Sequence, residues 1–127
     1  MSTVYDTGVL IAADRNDRTV WADHRARLEL GLVPTTTAPA VAQASCSPKQ
    51  AQLRRFLRGC NVVPFASDQA HDVGALLAAA RTDDIVDAHV IITATQHGPV
   101  VITSDPRDLE ALAMHIRPRL TVQPLSD

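Results

Sequence analysis

Short apolar runs alternate along the chain with longer segments that carry their apolar residues at helical spacing. The apolar runs are rich in Val, Ile and Thr and predict strands, whereas the longer segments predict helices. The predicted strands are Thr3–Tyr5, Leu32–Thr37, Asn61–Pro64, Val100–Thr103 and Leu120–Gln123. The predicted helices are Thr7–Asp14, Arg18–Leu30, Ala38–Ala44, Lys49–Arg58, Asp68–Ala80, Ile85–His97 and Asp105–His115.

This alternation of strands and helices predicts an α/β fold with three layers, α/β/α, around a mainly parallel sheet. The continuous apolar run in Val100–Thr103 is typical of a strand that is buried on both faces. With 127 residues, no internal repeat and no linker-like segment, we expect one domain over residues 1–127.

Composition narrows the possible functions. The net charge is −2, so a global positive field does not indicate nucleic-acid binding, and RNA contacts would have to be local. The two cysteines have no metal-ligand spacing. Neither a secretory leader nor an apolar run of transmembrane length is visible, so we expect a cytoplasmic protein that does not contact a membrane.

Acidic residues follow two of the predicted strands. Asp6 comes directly after Thr3–Tyr5, and Asp105 follows Val100–Thr103. In open α/β sheets, ligands bind beyond the carboxyl ends of the strands. Asp84 and Asp87 begin the helix Ile85–His97, and Asp108 stands three residues after Asp105, so further carboxylates are available. Carboxylate oxygens suit Mg²⁺ or Mn²⁺, which can activate water for phosphodiester hydrolysis.

Each of these carboxylates also has a purely structural interpretation. Asp84 and Asp105 precede helices and could be N-caps. Asp108 in a first helical turn stabilises the helix dipole without any other role. Asp87 and Asp6 lie among apolar residues, where an unpaired carboxylate is costly, so their functional interpretation is favoured.

Three segments together resemble the PIN-domain family. The segment V-Y-D-T-G-V-L-I-A-A (Val4–Ala13) resembles its opening motif, and D-D-I-V-D-A-H-V-I-I-T-A (Asp83–Ala94) resembles its central acidic helix. The segment V-V-I-T-S-D-P-R-D-L (Val100–Leu109) resembles its closing strand and acidic loop. Their order and spacing agree with the family, and the similarity is greatest to the VapC-type toxins of bacterial toxin–antitoxin pairs.

The resemblance implies a Mg²⁺- or Mn²⁺-dependent endoribonuclease that acts on structured RNA. Asp6, Asp87 and Asp105 match the family's metal-site positions, and Asp84 and Asp108 match accessory acidic positions. The supporting positions beside the site are Thr7, Thr103 and Ser104. The resemblance also implies a homodimer and a cognate antitoxin of the VapB type that covers the acidic pocket.

One position departs from the family pattern. The helix Ala38–Ala44 carries Gln43 where the family usually has a glutamate. A glutamine keeps an oxygen that could coordinate a metal but removes one negative charge, so metal affinity should fall. Three interpretations stay open: a natural variant that cleaves, a weakened or inactive domain that acts by binding RNA or protein, and an introduced substitution.

Two further features of the sequence carry a functional hypothesis. Arg54, Arg55 and Arg58 form the densest basic cluster and either contact RNA phosphates or lie on a solvated helix face. Asp6 after a first strand could also accept a phosphoryl group. That chemistry needs a second Asp where Gly8 stands, or a late-strand lysine, and Lys49 is not so placed.

Overall fold

Five short strands form a single parallel sheet in the computed structural model, which describes residues 3–125. The strands are β1 Thr3–Tyr5, β2 Thr35–Thr37, β3 Asn61–Val63, β4 Val100–Thr103 and β5 Thr121–Pro124. The α-helices are α1 Thr7–Asp14, α2 Arg18–Glu29, α3 Ala38–Ala44, α4 Ala51–Leu57, α5 Ala70–Ala80, α6 Ile85–His97 and α7 Pro106–Ala113. The predicted α/β class is therefore confirmed.

The strand order β3-β2-β1-β4-β5 places β1 at the centre of the sheet. Val4 pairs with Thr35 of β2 on one side and with Val101 of β4 on the other. Every strand pairing is parallel, where the sequence predicted a mainly parallel sheet. Each of the first four strands is thus followed by at least one helix that returns the chain to the edge where the next strand begins.

The central strands separate two apolar cores because successive side chains in a strand point to opposite faces. Val4 and Val101 pack against α5, α6 and α7. Tyr5 and Ile102 pack on the other face with residues of α1 to α4. The molecule therefore has the predicted three layers, with α1–α4 on one side of the sheet and α5–α7 on the other.

An aromatic cluster anchors α2 and α4 to the sheet. The rings of His24 and Phe56 stack with their centroids 4.0 Å apart, and Tyr5 stacks on Phe56 at 5.5 Å. The Tyr5 hydroxyl lies 3.0 Å from Nδ1 of His24. Gly59 allows this packing, since a Cβ there would come within 2.8 Å of His24 Nε2. A buried histidine thus fixes the position of α2.

Several predicted elements extend beyond the observed strands and helices. Residues 32–34 lie outside β2, because Pro34 has no N–H to donate to a neighbouring strand. The helix predicted over Lys49–Arg58 begins only at Ala51. Before it, the buried Gln50 side chain accepts hydrogen bonds from the backbone N–H groups of Cys46 and Ser47 and so organises a loop.

Two more helices are shorter than predicted. The segment Ser67–Gln69 forms a 3₁₀ turn, so α5 starts at Ala70 and not at Asp68. The last predicted helix, Asp105–His115, is Pro106–Ala113, with Asp105 outside it as the N-cap. Pro106 suits the first helical position because its missing N–H would have no partner there.

None of the helices within residues 3–125 is long and apolar enough to cross a membrane. The longest of them, α6, has 13 residues.

Burial lowers the pKa of His24. As the pH falls below roughly 6.5, His24 therefore takes up a proton in the unfolded chain before it does so in the folded chain. The free energy of unfolding decreases over this range until the pH reaches the lower pKa that His24 has in the folded chain. We expect the free energy of unfolding, measured with urea, to fall less for His24→Gln than for the original chain between about pH 7.5 and about pH 5. Carboxylates and His89 are common to both proteins, so the difference isolates His24. Identical pH dependence would show that His24 is protonated equally in both states.

Candidate active site

The topology creates a crevice between the carboxyl ends of β1 and β4. From β1 the chain continues to β2 and β3 on one side and then crosses to β4 on the other. Such a switch point is where open α/β sheets bind ligands. Asp6 follows β1 and Asp105 comes two residues after β4, so both predicted residues flank this crevice.

Asp6 is buried, with only 4% of its surface exposed. Its Oδ1 accepts a hydrogen bond from the N–H of Val9 at 3.1 Å, which caps α1. Its Oδ2 accepts a short hydrogen bond from the hydroxyl of Thr103. Burial raises the pKa of Asp6, although the hydrogen bonds from Thr103 and Val9 oppose that rise.

Thr103 connects Asp6 to the second acidic loop. Its Oγ1 also accepts a hydrogen bond from the N–H of Asp105 at 2.8 Å. Asp105 is exposed and accepts a hydrogen bond from the N–H of Asp108 at 3.5 Å, which caps α7. The predicted supporting role of Thr103 thus has a concrete basis, since one buried hydroxyl links both acidic loops.

Helix α6 brings two more carboxylates to this edge, because it runs back against the strands and so begins at their carboxyl ends. Asp84 caps α6 by accepting a hydrogen bond from the N–H of Asp87 at 3.0 Å. Asp87 is half-buried, less than its apolar neighbours suggested, since Ile85 is 50% exposed. Asp84, Asp87 and Asp108 line one cleft with Thr82.

Mutual repulsion links these carboxylates. Burial raises the pKa of Asp87 to about 7, and the negative charges of Asp84, Asp6 and Asp108 add to that rise. The hydrogen bond and negative charge of Asp105 raise the pKa of Asp108. The charge of Asp105 also raises the pKa of Asp6. The five predicted acidic residues are therefore electrostatically coupled at one edge of the sheet.

Gln43 lies beside this edge, and its side-chain oxygen takes part in a hydrogen bond within the protein. Its Oε1 accepts a hydrogen bond from the hydroxyl of Thr7 at 2.7 Å, next in sequence to Asp6. The residue as a whole is exposed, whereas Thr7 is buried. The interaction places Gln43 beside the residue that follows Asp6 and uses one of the two acceptor positions of its carbonyl oxygen.

Gly8, named above only as the position where a phosphoacceptor site would need an Asp, packs closely against this site. A Cβ at this position would lie 1.7 Å from Oγ and 2.6 Å from Cβ of Ser104, and 3.4 Å from Oδ1 of Asp6. Ser104, predicted only as a supporting residue, thus packs over the first turn of α1. The signal available in the sequence was a glycine directly after Asp6-Thr7, which indicates close backbone approach.

The predicted basic cluster does not join this site. Arg54 and Arg55 are exposed on α4, Arg58 is exposed directly after it, and none of the three lines the acidic cleft. Arg54 donates a hydrogen bond to the carbonyl of Pro48, and Arg55 donates one to Gln52. RNA contacts by these residues would lie away from the carboxylates.

The donor set suits a hard divalent cation, but its members are not gathered as a finished coordination sphere. Within residues 3–125, no three acidic, histidine or cysteine side chains stand close enough together to hold a metal ion. Asp6, Asp84 and Asp105 each use one or both oxygens in protein hydrogen bonds.

Comparison with known sequences adds no family assignment. The chain matches no protein-family model, and no curated protein matches it.

The packing of Ser104 on Gly8 yields a test of the geometry. Alanine in place of a helical glycine ordinarily stabilises by up to about 1 kcal/mol. Here we expect Gly8→Ala to destabilise by roughly 1–3 kcal/mol, because its Cβ overlaps Ser104.

The second variant is the control. In Gly8→Ala/Ser104→Gly the obstructing atoms are gone, so the free energy of unfolding should recover. Urea denaturation measures both proteins. Stabilisation by Gly8→Ala alone would contradict the proposed contact.

Proposed function

We propose that the chain is a divalent-metal-dependent endoribonuclease of the PIN type. The observation that carries the proposal is the placement of five carboxylates around the β1–β4 switch point, where neighbouring negative charges help to raise the pKa of Asp6, Asp87 and Asp108. An isolated acidic edge of this kind costs stability, and a bound cation would offset the repulsion. The resemblance to VapC-type toxins in three ordered segments supports the same conclusion.

Asp6, Asp87 and Asp105 would hold the metal ion, and Asp84 and Asp108 would supply accessory charge. Oxygen ligands alone favour Mg²⁺ or Mn²⁺ over zinc, which prefers nitrogen and sulfur. The chemistry that such an ion supplies when bound is polarisation of the phosphodiester and acidification of an attacking water.

The protein's own groups would orient the site. The Thr103 hydroxyl holds Asp6 Oδ2 and the Asp105 backbone in one arrangement. Asp87, whose pKa is raised to about 7, would lose its proton when the metal ion binds, so metal affinity should increase as the pH rises through about 7. No nucleophilic side chain is required, since water is the nucleophile.

A second candidate function follows from Gln43. The neutral amide removes one charge from the site, and its oxygen accepts a hydrogen bond from Thr7. Metal affinity would be lower than with a glutamate. On this hypothesis the domain is a weakened or inactive PIN-like protein that acts by binding RNA or a protein partner.

The biological role we propose is that of the toxin of a type II toxin–antitoxin pair, acting in the cytoplasm. Its partners would be structured RNA, a cognate VapB-like antitoxin over the acidic cleft, and a second copy of the chain. Exposed apolar side chains at the end of α2 and on β3 support a homodimer, because exposed apolar surface often marks a protein–protein interface. These side chains are Leu28, Leu30, Leu32 and Val62.

Cleavage of total RNA with Mn²⁺ distinguishes the two functions. For the ribonuclease we expect cleavage by the original chain and a loss of at least about 100-fold in Asp6→Asn and Asp87→Asn. Gln43→Glu should lower the Mn²⁺ concentration needed for half-maximal cleavage, because the restored negative charge raises metal affinity. Asp72→Asn, an exposed acid in the first turn of α5, is the matched control and should cleave normally.

The contrary outcomes are equally distinct. Cleavage that persists unchanged in Asp6→Asn and Asp87→Asn would exclude the carboxylate edge as the active site. Cleavage by Gln43→Glu alone would establish the second candidate function.

A further inference from the structure

A groove between α2 and α4 brings together basic side chains that are far apart in the sequence. Arg18, Trp21 and Arg25 lie on its α2 wall, and Gln52 and Arg55 lie on its α4 wall. We call this the arginine groove. It shares no residue with the acidic cleft.

The α2 wall is one continuous stripe of the helix. Arg18, Trp21, Ala22 and Arg25 have the spacing i, i+3, i+4 and i+7, which places them on a single face. The two arginines are about 10 Å apart along the helix axis, with the indole and the small Ala22 between them. The wall therefore presents two cations separated by an open, flat surface.

The indole of Trp21 is held firmly at the centre. Its Nε1 donates a hydrogen bond to the carbonyl of Ala13 at 2.9 Å, and its ring meets Phe56 edge-on. The guanidinium carbon of Arg55 lies 5.6 Å from the ring centroid, within the range of a cation–π contact. Trp21 is only partly buried, so part of the ring faces the groove.

The positive charge in the groove is not neutralised by the protein. Throughout the described residues, the one ion pair joins Arg27 and Asp23. Arg18, Arg25 and Arg55 therefore have no carboxylate partner there. Asp17, the acidic neighbour of Arg18, caps α2 through the N–H of Val20 and does not line the groove.

We infer that the arginine groove binds a single-stranded RNA segment, with phosphates on Arg18, Arg25 and Arg55 and a base against Trp21. Guanidinium groups bind phosphate oxygens in pairs, and single-stranded RNA is recognised by stacking on aromatic rings and arginine planes. An acidic peptide would use the charges but not the flat surface between them. This inference rests on the proposed function, because the groove would be a second contact surface for the RNA that the acidic edge cleaves.

One short helix links the groove to the acidic edge. Helix α1 begins beside Asp6 and ends at Asp14, and Asn16 just beyond it lines the groove. Its eight residues span about 12 Å, so the two sites lie near opposite ends of α1.

Binding is measured in EDTA, so that it does not depend on cleavage. A short single-stranded RNA should change the emission of Trp21, which is the only tryptophan in the chain. We expect Arg18→Ala/Arg25→Ala to weaken binding at least about tenfold and to reduce the slope of log affinity against log salt by about 1.4.

The matched control is Arg54→Ala/Arg58→Ala, which removes the same charge from exposed positions outside the groove. It should lose far less affinity. An equal loss in both double variants, unchanged Trp21 emission, or binding of polyglutamate without binding of RNA would overturn the inference. Groove-dependent binding by a chain that never cleaves RNA would refute the proposed nuclease while supporting the groove.

Discussion

The buried carboxylate of Asp6 and its hydrogen bond from Thr103 determine how the rest of the site is arranged. The contact joins the ends of β1 and β4, the two strands between which the chain changes direction across the sheet. It also holds a negative charge where burial disfavours one. The other acidic loops lie near that charge. The contact that fixes the geometry of the edge therefore also keeps mutually repelling carboxylates close to one another.

Structural roles and the proposed functional roles coincide in these carboxylates. Asp6, Asp84 and Asp105 are N-caps of α1, α6 and α7, and each accepts the N–H of the residue three positions later. Capping needs only one carboxylate oxygen. The structural interpretation of Asp84 and Asp105 is thus correct, and it still leaves an oxygen on each for a cation. Asp87 has no capping role, so capping does not account for this half-buried carboxylate.

The fold was largely predictable because strand and helix periodicity are local properties. The boundaries of β1, α1, α3 and α6 agree with the prediction, whereas the helix around Gln50 does not, since a buried side chain reorganises its loop. Long-range contacts such as Gly8 with Ser104, or Thr7 with Gln43, depend on tertiary packing. The arginine groove was missed for the same reason, since Arg54, Arg55 and Arg58 are neighbours in sequence but only Arg55 faces α2.

Thermal unfolding with increasing Mn²⁺ tests the central claim that the carboxylate edge is a cation site. A saturating ion at about 100 times its Kd should stabilise the original chain by about 2.7 kcal/mol and raise its Tm. Asp87→Asn should lose that increase, while Asp72→Asn, with the same charge change in the first turn of another helix, should keep it. An equal Mn²⁺-dependent rise in Asp87→Asn and the original chain, or no rise in either, would contradict the account.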